Sequence, residues 1–142
     1  MFIDALGLVS NAQAFGAAAV STNAIDLGDV TPKREIGTGE PLGFGFVVTT
    51  AGTVAPSKIE IISATDAALT AGILSHGERT IPLAQTVVGA AFFIPLPQGT
   101  PTQRYLGIRV TTAAGTISGT SWLTGHQLFS LLAKSYPKNY AV

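Results

Sequence analysis

The chain has 142 residues, of which 46% are hydrophobic and 11% are Asp, Glu, Lys or Arg, enough for one domain with a core of its own and too little for two. Eight basic residues balance eight acidic ones to a formal charge of zero, so there is no field that would gather nucleic acid or anionic lipid. Cysteine is absent, which removes disulfides, thiolate catalysis and Cys-ligated zinc together.

In chain order, Asn11-Ala12-Gln13-Ala14-Phe15 imitates a signal-peptide cleavage site, but the rest of the pattern fails. No Lys or Arg precedes Lys33, Asp4 interrupts the apolar stretch, and Ala5 to Val9 is too short for an apolar signal core. The sequence reads as a soluble chain made in the cytosol. Strands are expected from Ala12 to Val20 and from Ala24 to Leu27, with turn chemistry at Gly28-Asp29 and over Gly37-Thr38-Gly39-Glu40-Pro41. From there Leu42, Phe44, Phe46 and Val48 fall on one face of a strand, and Gly43, Gly45, Val47 and Thr49 on the other. Ala51-Gly52 is a turn, Lys58 to Ala64 a β-branched strand, Ser75-His76-Gly77 a turn by composition, and Arg79 to Ala84 a brief strand pinned by Pro82. The apolar run from Val87 ends in two prolines and covers about a third to a half of a bilayer span, so Val87 to Leu96 is read as a buried strand. Pro97-Gln98-Gly99-Thr100-Pro101 turns the chain, Leu106, Ile108 and Val110 alternate with Gly107, Arg109 and Thr111, and Ala113-Ala114-Gly115 leads into a last strand from Thr116 to Thr124. Helix is expected only at Gln127 to Lys134, where Leu128, Leu131 and Leu132 share a face.

About eight short antiparallel strands divided by Gly and Pro turns predict an all-β jelly-roll β-sandwich, a single domain over residues 1–142. Residues 1–14 and 135–142 are apolar or aromatic and are expected to extend outside the sandwich into subunit contacts. The low share of charge points the same way. Soluble domains carry about 25% charged residues, and apolar surface is stabilised by roughly 25 cal/mol per Å² when it leaves water. A face this poor in charge is best used against another polypeptide.

No constellation of catalytic residues stands out. His76 and His126 are far apart and lack metal-ligand spacing, so no metal or cofactor is expected. Asp26 and Asp29 have the proximity of a loop calcium site, but Asp26 bonding its own turn backbone is the simpler reading. Gly37 to Gly43 resembles a phosphate loop only in glycine count, because Pro41 feeds a strand and not a helix. Gly119-Thr120-Ser121-Trp122 is not a nucleophile elbow. Trp122, Tyr105, Tyr136 and Tyr140 are candidates for a sugar platform, with core or subunit packing as the competing reading.

Seven stretches in order along the chain carry a family resemblance: residues 10–14, 21–28, 34–42, 81–83, 95–100, 104–106 and 136–142, among them Arg34-Glu35-Ile36-Gly37-Thr38-Gly39-Glu40-Pro41-Leu42 and Tyr136-Pro137-Lys138-Asn139-Tyr140-Ala141-Val142. Together they resemble the small cement, or decoration, proteins of tailed double-stranded-DNA bacteriophage heads, of the Bordetella-phage type. The resemblance implies a jelly-roll subunit on the outer surface of the virion, with no enzymatic activity, that bridges neighbouring capsomers of the major capsid protein and steadies the head against internal DNA pressure. Residues 125–134 are more apolar than the family leads one to expect there. Phe2, Ile3, Tyr136 and Tyr140 are expected in subunit or capsid contacts, and Arg34, Glu35 and Glu40 in ionic contacts at the capsid seam. A homodimer suits a bridge across a seam, with a homotrimer at three-fold positions as the alternative. Neither nucleic acid nor membrane is an expected partner. A carbohydrate-binding jelly-roll module is the first rival, and a hydrolase built from Asp26, Glu60, Asp66 or Glu78 is the second.

Overall fold

A computed structural model describes residues 6–29, 41–99 and 101–129. They form nine strands: β1 Leu8–Phe15, β2 Ala18–Val20, β3 Ile25–Asp26, β4 Leu42–Thr50, β5 Ser57–Ala64, β6 Leu74–Ile81, β7 Ala91–Pro95, β8 Tyr105–Thr112 and β9 Ile117–Gly125. A 3-10 turn at Leu83–Gln85 and a helical turn over residues 126–129 are the helical pieces among the described residues.

The strands make two antiparallel sheets. The front sheet runs β1-β9-β4-β7 and the back sheet β2-β8-β5-β6, with β3 also on β8. Because β2 and β3 lie one after the other along β8, they act as one interrupted strand. Counted so, the front sheet holds the first, eighth, third and sixth strands and the back sheet the second, seventh, fourth and fifth, which is the jelly-roll order.

Period-2 alternation builds the core. Phe44, Phe46 and Val48 of β4 point inward with Val9, Phe15, Phe92, Ile94 and Ile117, and meet Ile59, Ile61, Ile81, Leu106, Ile108 and Val110 of the back sheet. Gly119 faces Phe46 so closely that a Cβ there would collide with the ring, so the glycine in β9 makes room for a fully buried aromatic. The open edges are stitched together. Gln13 Nε2 donates to the Val20 carbonyl at 2.8 Å while its Oε1 accepts from Thr22 N–H at 2.9 Å, tying β1 to β2. On the other side, Arg79 of β6 donates to the Phe93 carbonyl of β7 at 3.2 Å, which removes a bonding group that would otherwise invite strand addition.

Several expectations need correction. Residues 8–14, expected outside the sandwich, are most of β1, and Val9 is fully buried in the core. The strand expected from Ala12 to Val20 breaks after Phe15, and β1 itself is irregular around Ala12, which has φ 47°. Ser75-His76-Gly77 is not a turn but lies inside β6, where the pairing with β5 shifts register between Ile61 and Ile62. The strand expected from Arg79 to Ala84 is the end of β6, which stops at Ile81. The strand expected from Val87 to Leu96 is confined to Ala91–Pro95, leaving Val87 and Val88 in an exposed loop. The expected helix begins at residue 126, and its part beyond residue 129 lies outside the described residues.

Candidate functional site

Strand register decides which loops meet. Thr50 pairs with Ser118, Phe15 with Ile117, Val47 with Ala91, and Ser57 with both Thr112 and Ile81. The loops 16–17, 51–56, 82–90 and 113–116 are therefore gathered at one end of the sandwich. They touch: Gly52 N–H donates to the Thr86 carbonyl at 3.2 Å, and a Cβ on Gly115 would run into Thr53. Thr86, buried at the base of its loop, donates its hydroxyl to the Leu83 carbonyl at 2.7 Å.

None of these four loops contains a charged residue. Their sequences are Gly16-Ala17, Ala51-Gly52-Thr53-Val54-Ala55-Pro56, Pro82-Leu83-Ala84-Gln85-Thr86-Val87-Val88-Gly89-Ala90 and Ala113-Ala114-Gly115-Thr116. Large apolar side chains nevertheless face water there, with Val54 64%, Val87 55%, Val88 68% and Leu83 37% exposed. Leu6, Leu74 and Leu128 are exposed elsewhere, so what sets this end apart is that its exposed apolar side chains have no charged residue among them. The charged side chains among the described residues lie elsewhere: Asp26, Asp29, Asp66 and Arg104 in or beside loops of the opposite end, and Lys58, Glu60, Glu78, Arg79 and Arg109 along the back sheet.

The carboxylates named as hydrolase candidates are engaged in holding the fold. Asp26 accepts two bonds from Arg104, each 2.9 Å, and a third from Gly28 N–H at 2.8 Å; the Arg104 guanidinium and the Gly28 amide hold its pKa down at about 2. This fastens β3 to the loop before β8 and matches the turn-backbone reading of Asp26. Asp66 accepts from the amides of Thr70 and Ala71 and from the Thr70 hydroxyl, within its own loop. Glu60 and Glu78 do meet as a cross-strand pair on the outer face of the back sheet, where Lys58 Nζ donates to both, at 3.2 and 3.3 Å. Among the described residues no three His, Asp or Glu side chains gather as a metal site.

His76, expected in a solvated loop, is half-buried on β6 with Nε2 2.6 Å from Ser63 Oγ, which also accepts from Gln103 N–H at 2.9 Å. Its Nδ1 is buried without a hydrogen-bond partner among the described residues. A Ser–His contact invites comparison with a nucleophile and its base, but Ser63 has no solvent-exposed surface, and a nucleophile must reach its substrate. The contact joins β5, β6 and the loop before β8. His126 is exposed and meets the Phe93 ring edge-on at 5.0 Å.

Trp122 lies on the outer face of the front sheet, 3% exposed, under Phe129, with ring centroids 6.2 Å apart. Phe93 completes the cluster 5.5 Å from Phe129. Gly45 makes it fit, since a Cβ there would lie 2.9 Å from the indole. Phe2, Ile3, Arg34, Glu35, Glu40, Tyr136 and Tyr140 lie outside the described residues. The uncharged loop end was missed by residue-by-residue reading; the signal was the lack of charge in four separate loops, which acquires meaning only when register brings them together.

Residues 9–122 match the model of the family described as Bbp16. No curated protein matches the chain.

Proposed function

Because the chain belongs to the Bbp16 family, a name that suggests a Bordetella phage protein, we propose that it is a structural protein of the virion: a cement subunit on the outer surface of a tailed-phage head. In this reading it bridges neighbouring capsomers through the major capsid protein, works as a homo-oligomer, and needs no enzymatic step or cofactor. The observation that supports it is the uncharged loop end, where Val54, Leu83, Val87 and Val88 offer apolar contact and no charged side chain is present. Many such weak contacts repeated over a closed lattice favour the assembled state by mass action. The carbohydrate-binding alternative calls for aromatic faces open to solvent, whereas Trp122 is covered by Phe129.

The test is to mix purified protein with phage heads prepared without it, then measure co-sedimentation and the temperature at which the heads release DNA. Saturable binding and a higher release temperature are expected; failure to co-sediment overturns the reading. Deletion of residues 136–142 and a triple alanine substitution at Arg34, Glu35 and Glu40 then show whether the tail and the seam charges contribute to binding.

A further inference from the structure

We infer that His76 is a proton-sensitive latch: with a neutral ring it holds the Thr102-Gln103 segment against β5, and with a protonated ring it lets that segment go while the two sheets stay closed. The inference stands apart from the cement reading and needs no partner. Its geometry is set by the irregularity in β6. Where the pairing with β5 slips between Ile61 and Ile62, His76 reaches Ser63, which follows Ile59 and Ile61 on the inward side of β5 and has no exposed surface. Ser63 in turn receives the Gln103 amide at 2.9 Å, so one hydroxyl joins β6 to the approach to β8.

Counting protons shows why the ring must be neutral. Ser63 Oγ accepts from Gln103 N–H and has one proton to give. Nε2, 2.6 Å away, accepts that proton as long as it carries none of its own. The hydroxyl is then satisfied, and Nδ1, buried without a partner among the described residues, is the one orphan. An imidazolium cannot accept. The hydroxyl proton loses its acceptor, and a positive charge sits on a ring whose Nδ1–H has no partner either.

No anion among the described residues is free to offset that charge. Glu60 and Glu78 lie on the outer face of the back sheet, bound to Lys58 and, for Glu60, to Arg109. Asp66 is closed within its own loop, and Arg79 is turned to the Phe93 carbonyl and the Phe92 ring. Residues 91–99 contain no titratable side chain, and Arg104 is held by Asp26 and lies over Tyr105.

The release is local. Gly77 keeps β6 in place, wedged so near the Pro95 carbonyl that a Cβ would lie 2.6 Å from its oxygen, and Arg79 ties the same strand to Phe93. Thr102 and Gln103 lie outside the strands. On their far side the Arg104–Asp26 pair, whose carboxyl is held down at about 2, survives the range in which His76 takes up its proton. Opening therefore stops at Arg104.

Native-state hydrogen exchange, read amide by amide from about pH 7.5 to about pH 5, tests this. Once intrinsic rates are divided out, protection of the Gln103 amide is expected to fall by up to about tenfold per pH unit below the ordinary histidine value of 6.5, with no dependence on low urea. The Leu27 amide, bonded to the Arg104 carbonyl at 2.9 Å, is expected to keep its protection. In His76→Gln the pH dependence at Gln103 should vanish, and in Ser63→Ala its amide should exchange faster at every pH. A flat Gln103 profile in the wild type, a fall that persists in His76→Gln, undiminished protection in Ser63→Ala, or loosening that tracks urea and takes Leu27 with it overturns the inference.

Discussion

Glu60 and Arg109 stand directly opposite each other on β5 and β8, with Arg109 Nε 3.0 Å from Glu60 Oε2. Lys58 donates to the other carboxylate oxygen and onward to Glu78, so a line of alternating charges crosses three strands of the back sheet. Glu60 is 4% exposed. Burial alone would raise its pKa, but the hydrogen bonds from Arg109 and Lys58 outweigh that effect and hold it below the ordinary 4.5. A carboxylate depressed in the folded state contributes stability above its unfolded pKa and loses it as pH falls through the folded value. The thermal midpoint is therefore expected to drop from about pH 5 towards pH 3, and Glu60→Gln to make that drop shallower. Melting curves at stepped pH check this; identical slopes for the two proteins contradict it.

His76 adds an earlier step. Burial pushes its pKa below the ordinary 6.5, so the unfolded chain takes up the proton first and stability declines as pH falls below that value. His76→Gln should abolish this decline while leaving the acid step of Glu60 and Asp26 in place. Ser63→Ala removes the hydroxyl shared by His76 Nε2 and the Gln103 amide and should cost about 1–3 kcal/mol, measured by urea unfolding.

Leu69 is a side chain put to use through an unfavourable backbone. It sits at φ 57° in the loop cinched by Asp66, and it covers Ile62 and Ala64 on the outer face of the back sheet at 1% exposure. Gly107 leaves the space it fills, since a Cβ there would lie 2.5 Å from Leu69 Cδ1. Leu69→Ala should lower stability by about 2–4 kcal/mol, seen as a lower urea midpoint with an unchanged slope. A loss near zero would mean that the loop is a loose cover and not a plug.

Trp122 is the chain's one tryptophan, so its fluorescence reports on the outer cluster alone. Phe129→Ala should uncover the indole and shift its emission to longer wavelength while far-ultraviolet circular dichroism stays that of the wild type. An unshifted spectrum would mean that Phe129 does not shield the ring in solution.

Much of the fold was legible because the chain states its period where both neighbours are strands. Phe44, Phe46 and Val48 alternate with Gly43, Gly45 and Val47 because successive side chains of β4 point to opposite faces and one face meets the core, and the turns at Ala51-Gly52 and Ala113-Ala114-Gly115 fall between strands as their composition indicates. The failures have physical causes. Ser75-His76-Gly77 has turn chemistry, yet it belongs to an edge strand whose outer face is wet and whose glycine lets Pro95 approach. Composition places Val87 and Val88 in the core, because apolar residues usually are core; they are exposed, and that exception marks the uncharged loop end. That loop end depends on contacts between loops distant in sequence, which no local pattern encodes.

The pairing of β1 with β9 has a further consequence for how the protein is made. Among the described residues β1 pairs within the front sheet with β9 alone, and the Ser10 hydroxyl reaches across 109 residues to the Gly119 carbonyl. β1 must therefore wait for β9, and a nascent chain carries Val9 and Phe15 without their β9 neighbours until β9 has been made. Non-local closure of this kind folds slowly, so nascent chains stalled before residue 117 should remain protease-sensitive and engage chaperones, and chains that include β9 should become resistant.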